Sequence, residues 1–209
     1  MTLTHFNQDL LDFLASSPTP FHATYELSRH LEKEGFVRLD EADIWSLEKG
    51  ERYYLSRNDS SLIAFVYGTN DITEQGIGMV GAHTDSPCLK LKPNTVIHKK
   101  GYIQLGVEVY GGVLLNPWFD RDLSLAGRVS GLNENGELVH PLVDFKRPLA
   151  VIPSLAIHLD TEANKNRSIN AQTDIPPIVM QSEEAVSFED ILCKESGLKE
   201  VLDFELLFY

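Results

Sequence analysis

The chain has 209 residues, 43% hydrophobic and 23% charged, the composition of an ordinary folded protein rather than a disordered one. With 18 basic against 31 acidic residues its net charge is −13, which disfavours nucleic acid and anionic membranes as partners. No apolar run reaches the ~20 residues a membrane-spanning helix needs, and residues 149–159 are interrupted by Pro153 and His158. The opening residues carry neither a basic nor an apolar signal segment, so the expected compartment is the cytoplasm, with Cys88 and Cys193 as free thiols.

Phe6, Leu10, Phe13 and Leu14 recur at helical spacing and predict a helix over residues 4–15, ended by Pro18 and Pro20. A second helix is predicted over residues 21–34, with Gly35 as its C-terminal cap. A short strand follows at 36–39. Residues 52–57 and 61–67 then read as a hairpin across Asn58-Asp59. The second of these strands is nearly all apolar, which suits a strand covered on both faces of a layered α/β sheet.

Residues 80–93, Val-Gly-Ala-His-Thr-Asp-Ser-Pro-Cys-Leu-Lys-Leu-Lys-Pro, carry the strongest sign of chemistry. An apolar approach (Ile77, Met79, Val80) predicts a strand whose exit presents His83 and Asp85. On an extended backbone residues two apart face the same way, so these side chains can converge on one atom or on one another. Imidazole is the commonest zinc ligand, and a carboxylate beside it either joins the coordination or orients the ring. A chance His-x-Asp triplet is the plainer alternative.

Beyond Pro93 helical periodicity gives way to short strands, predicted at 102–110, 125–132, 137–145 and 150–158, with a hairpin signal at Asn135-Gly136. A domain boundary is therefore expected near Asn94, separating residues 1–93 from a β-rich domain over 94–209. Asp120-Arg121-Asp122 reads as a salt-bridged turn fixed by Arg121, and His158 as a packing histidine at a strand end. Ser187-Phe-Glu-Asp190 is a capping box opening a short helix that stops at Gly197. Leu202, Phe204, Leu206 and Phe208 alternate along a terminal strand that needs a partner.

Residues 81–87 (Gly-Ala-His-Thr-Asp-Ser-Pro), 106–112 (Gly-Val-Glu-Val-Tyr-Gly-Gly), 117–128 (Pro-Trp-Phe-Asp-Arg-Asp-Leu-Ser-Leu-Ala-Gly-Arg) and 155–158 (Leu-Ala-Ile-His) closely resemble the aspartyl aminopeptidase family of zinc metallopeptidases, as does Ser17-Pro-Thr-Pro-Phe-His22. The resemblance implies an α/β fold: part of a zinc-peptidase α/β sandwich over 1–93, followed by a β-rich inserted oligomerisation domain over 94–209. It implies a homo-oligomer, usually a dodecamer, that removes N-terminal Asp or Glu from peptides with a pair of zinc ions; cobalt and manganese suit the same donors. It makes His83 a zinc ligand and Asp85 its support. It makes His158 a residue that contacts substrate in a neighbouring subunit, with a ligand role left open.

Family members are about twice as long. Their second halves would carry a bridging aspartate, a Glu-Glu pair and further ligands that are absent from this sequence. Two-metal hydrolysis needs ions about 3.5–4 Å apart and a base, which His83 and Asp85 alone do not supply. The chain is therefore expected to be the N-terminal half of such an enzyme and inactive alone. The alternative is a non-catalytic interaction or assembly module derived from it. A weaker third reading is a mononuclear site built from His83, Asp85 and one of Asp120, Asp122 or His158.

Overall fold

The computed structural model describes residues 3–184 and 186–209, and the chain divides into two compact units, Met1–Ser86 and Pro87–Tyr209. In the first, helix α1 (Leu3–Ala15) leaves Phe6, Leu10 and Leu14 exposed. Helix α2 (Pro20–Lys33) begins where its sequence instructs: Thr19 accepts a hydrogen bond from the His22 N–H as N-cap, and Pro20 takes the first turn, where a missing N–H costs nothing. Gly35, at φ +82°, turns the chain out of the helix.

Strands β1 (Val37–Arg38), β2 (Arg52–Arg57) and β3 (Ser61–Val66) form a sheet in that order, β1 parallel and β3 antiparallel to β2. The predicted hairpin is present; Asn58 and Asp59 turn it with φ of +52° and +53°. Tyr53, Tyr54 and Leu55 are buried, and the Tyr54 hydroxyl donates to Glu32 Oε1 of α2 at 2.6 Å. Strand β3 is not covered on both faces: it is an edge strand whose Ile63 and Val66 are exposed. After a one-turn helix α3 (Ile72–Gln75), capped by Asp71, residues 77–83 form no strand. Their composition favours a strand, yet a strand exists only through a ladder, and among the described residues none is formed here. Val80 is accordingly fully exposed, at 102%.

The second unit is built on strands β4 (Cys88–Lys99), β5 (Tyr102–Tyr110), β6 (Leu125–Leu132), β7 (Leu138–Val139), β8 (Leu142–Asp144), β9 (Ile178–Gln181) and β10 (Glu200–Phe208), with helix α4 (Phe188–Ser196). The sheet order is β7-β6-β10-β4-β5-β9, and β8 also pairs with β6. Asn94 lies inside β4, and the compact units divide at Ser86/Pro87, seven residues before the expected position. Pro93 does not end the strand because it falls in a bulge between Leu91 and Val96, where no ladder donor is required.

Residues 137–145 split into β7 and β8 at His140-Pro141, and residues 150–158 make only isolated bridges at Ala150, Val151 and Ile152 before turning away. Strand β10 finds its partners within the chain, antiparallel to β6 on one side and to β4 on the other. Its Leu206 and Phe208 meet Leu89, Leu105, Leu125 and Val129 in the core beneath α4's Leu192, while a bulge at Val201/Asp203 leaves Leu202 exposed. Ser187 caps α4 as its sequence predicts, accepting from the Asp190 N–H at 3.0 Å, and Gly197 closes it in the left-handed conformation.

Candidate functional site

His83 Nδ1 lies 3.0 Å from Asp85 Oδ1. The i, i+2 spacing thus brings the two side chains together, although the backbone between them belongs to a loop rather than a strand end. Thr84, pointing the other way, donates from Oγ1 to the Ser60 carbonyl at 2.7 Å and fastens this loop to the β2–β3 turn. The His83 side chain is 91% exposed and that of Asp85 35%. A carboxylate engaged at Nδ1 fixes the ring orientation and leaves Nε2 as the nitrogen to offer outward, which is how metal-ligating histidines are commonly held.

His158 lies in the second unit and is neither buried nor at the end of a strand. It projects from a loop between Ser154 and Asp160, flanked by Leu155, Ile157 and Leu159, all exposed. The loop leaves the sheet at Ile152, which pairs with Phe119 and accepts from the Asp120 N–H at 2.9 Å. Asp120 has φ +56°, and its Oδ1 accepts from the Ser154 N–H at 2.8 Å. Hydrogen bonding from Ser154, with Arg167 nearby, holds its carboxyl below the usual aspartate range.

Arg121 does not fix this turn. It and Asp122 are exposed and, among the described residues, form no ion pair; the cation at this place is Arg167, whose guanidinium sits 4.1 Å above the Phe119 ring. Spacing gave no sign of Arg167, because it is 48 residues from Phe119 in the chain. His22 and His140 bond locally, to Thr19 and Ser130 at 2.8 Å each.

His83 and Asp85 fit a zinc ion as one nitrogen ligand with its supporting carboxylate, whereas a catalytic zinc generally takes three protein ligands. Among the described residues no three His, Cys, Asp or Glu side chains are grouped to hold a metal. His83 and Asp85 belong to the first unit, and Asp120, Asp122 and His158 to the second.

The model of the aminopeptidase I zinc metalloprotease (M18) family matches residues 13–203. The chain belongs to this family. A probable M18 family aminopeptidase 2 of Pseudomonas fluorescens strain Pf0-1 is 55% identical over 97% of this chain and 49% of its own length. This M18 chain thus spans about half the length of the curated relatives it matches. A solved structure of Chaetomium thermophilum mApe1 superimposes with a TM-score of 0.86 at 33% identity, covering 98% of this chain and 50% of that one. The S. cerevisiae mApe1 dodecamer gives 0.77 at 28% identity, covering 97% and 47%. Among the described residues, no helix of this M18 chain is long and apolar enough to cross a membrane.

Proposed function

We propose that this chain supplies the N-terminal portion of a metalloaminopeptidase that removes Asp or Glu from the N-termini of peptides, working as a homo-oligomer in the cytoplasm. The observation that carries the reading is the His83–Asp85 pair, held at 3.0 Å in an exposed loop of an M18 chain. His83 would hold one of two zinc ions, and Asp85 would keep the imidazole oriented. Bound zinc supplies an activated water and polarises the scissile carbonyl. The remaining ligands and the general base come from outside these residues, so this chain by itself is inactive.

The division into Met1–Ser86 and Pro87–Tyr209 is read as the start of the peptidase domain followed by an inserted oligomerisation domain. His158, on a projecting apolar loop, is read as a substrate contact to the active site of a neighbouring subunit. The similarity to the S. cerevisiae mApe1 dodecamer supports the oligomer. Cys88 and Cys193 are not joined in a disulfide, which suits a reducing compartment.

The test is metal content by elemental analysis on the purified chain, run beside hydrolysis of aspartyl, glutamyl and leucyl peptides. Two metals per chain with chelator-sensitive turnover would overturn the incomplete site. Absence of tight metal and of turnover is the expected result. A preference for leucyl over acidic peptides in any active assembly would overturn the substrate class.

A further inference from the structure

The loop that carries His158 is not held by burial. Leu155, Ile157 and Leu159 are 60%, 47% and 75% exposed, so the usual means of fixing a loop, packing its side chains down, is missing. Within it the Leu159 and Asp160 N–H groups donate to the Ala156 carbonyl at 2.8 and 3.1 Å, which shapes a turn but does not aim it. Its direction must be set at the base. There Arg167 reaches both ends: Nη1 donates to Ser154 Oγ at 3.4 Å where the loop begins, and Nε lies 3.8 Å from Asp160 Oδ2 where it closes. The guanidinium plane rests on Phe119, whose own position is fixed by pairing with Ile152. Asp120 adds the bond to the Ser154 N–H described above.

Each polar tether is modest alone. Together they use the one side chain that can do this: a rigid planar fork that bonds in two directions while stacking on an aromatic face. Arg167 and Asp160 side chains are only 22% and 25% exposed, so their attraction is screened less than a surface pair's.

We propose that Arg167 is a positioning residue for His158, clamping Ser154 to Asp160 over Phe119 so that the projecting loop presents its imidazole in one orientation. The proposal rests on the reading of His158 as a substrate contact, and its test separates the two. In Arg167→Ala, backbone amide order parameters by NMR at residues 155–159 should fall from the rigid range of about 0.8 to below about 0.6, with β4, β6 and β10 unchanged. Arg167→Lys keeps the charge but loses fork and stack, and should recover less than half of that loss.

Ser154→Ala and Asp160→Asn each remove one tether and should each loosen the loop in part; they carry the test should Arg167→Ala fail to fold. Unchanged order at 155–159 in all of these variants overturns the clamp. In the assembled enzyme, His158→Ala and Arg167→Ala should raise KM several-fold more than they lower kcat. A loosened loop together with kinetics unmoved by His158→Ala would overturn the substrate contact while the clamp stands.

Discussion

Tyr209 donates from its hydroxyl to Asp144 Oδ1 at 2.6 Å, and burial, then this bond, push its pKa above the ordinary tyrosine value. A raised folded pKa means that the contribution is complete below the unfolded tyrosine pKa of about 10 and is lost as pH climbs through the folded value. Tyr209→Phe should therefore cost about 1 kcal/mol at neutral pH and flatten the alkaline fall in stability, measured by urea titrations from neutral pH to beyond pH 10. An equally steep alkaline fall in the variant would show that other groups govern it. At this scale the sequence was informative where spacing fixes geometry. His83 and Asp85 meet at 3.0 Å as their i, i+2 spacing suggested, though across a bend at Thr84 and not along a strand. Asp120 was singled out as well, but with Arg121 as partner, since adjacency in sequence suggests a pair that three-dimensional proximity assigns to Arg167 instead.

Strands β6 and β10 approach so closely that a Cβ on Gly127 would fall 2.0 Å from the Glu205 carbonyl oxygen, and one on Gly131 2.1 Å from that of Glu200. Gly127→Ala should destabilise the second unit by about 3 kcal/mol, the upper end of overpacking costs, read as a shift in the denaturation midpoint. A loss under ~0.5 kcal/mol, the usual limit for surface changes, would mean the strands part without cost. Leu206→Ala, which empties a fully buried core position on β10, should cost about 2–5 kcal/mol in the same measurement. Strands β5, β6 and β10 were legible, because alternation and turn residues mark them locally, whereas residues 150–158 make only isolated bridges and β9 was not foreseen. Pairing was not legible. Nothing in residues 200–208 names Leu125 or Leu89 as neighbours, so the terminal strand's unmet need for a partner was resolved only by the long-range register. Likewise Met79 and Val80 have the composition of a strand, and composition cannot supply the ladder.

The two units differ in what they bury. The second gathers a contiguous core from four long strands and α4, whereas the first encloses Phe21, Ala23, Tyr53, Tyr54 and Leu55 and leaves Ile63, Val66, Ile77, Met79 and Val80 in water. Native-state hydrogen exchange should find amides at Tyr53–Leu55 at least tenfold less protected than those at Leu125–Val129, a gap of about 1.4 kcal/mol or more in opening free energy. Equal protection would contradict this ranking. That the first unit exposes so much apolar surface accords with an M18 chain spanning half the length of its relatives. The compact units meet at Ser86/Pro87, whereas the change from helical periodicity to short strands, on which the expected boundary rested, comes later in the chain, inside β4.

Strand β10 is translated after every other strand of its sheet, yet it lies between β6 and β4. On a ribosome, therefore, the β4–β5 hairpin and the β6–β8 ladder emerge as two separate half-sheets, each with one open edge facing a gap that only residues 200–208 can fill. Vectorial folding of this unit is held back until its last strand clears the exit tunnel, and such open edges invite pairing with other nascent chains in the meantime. Synthesis rate and chaperone access over that interval therefore bear on how much of the protein reaches its native form.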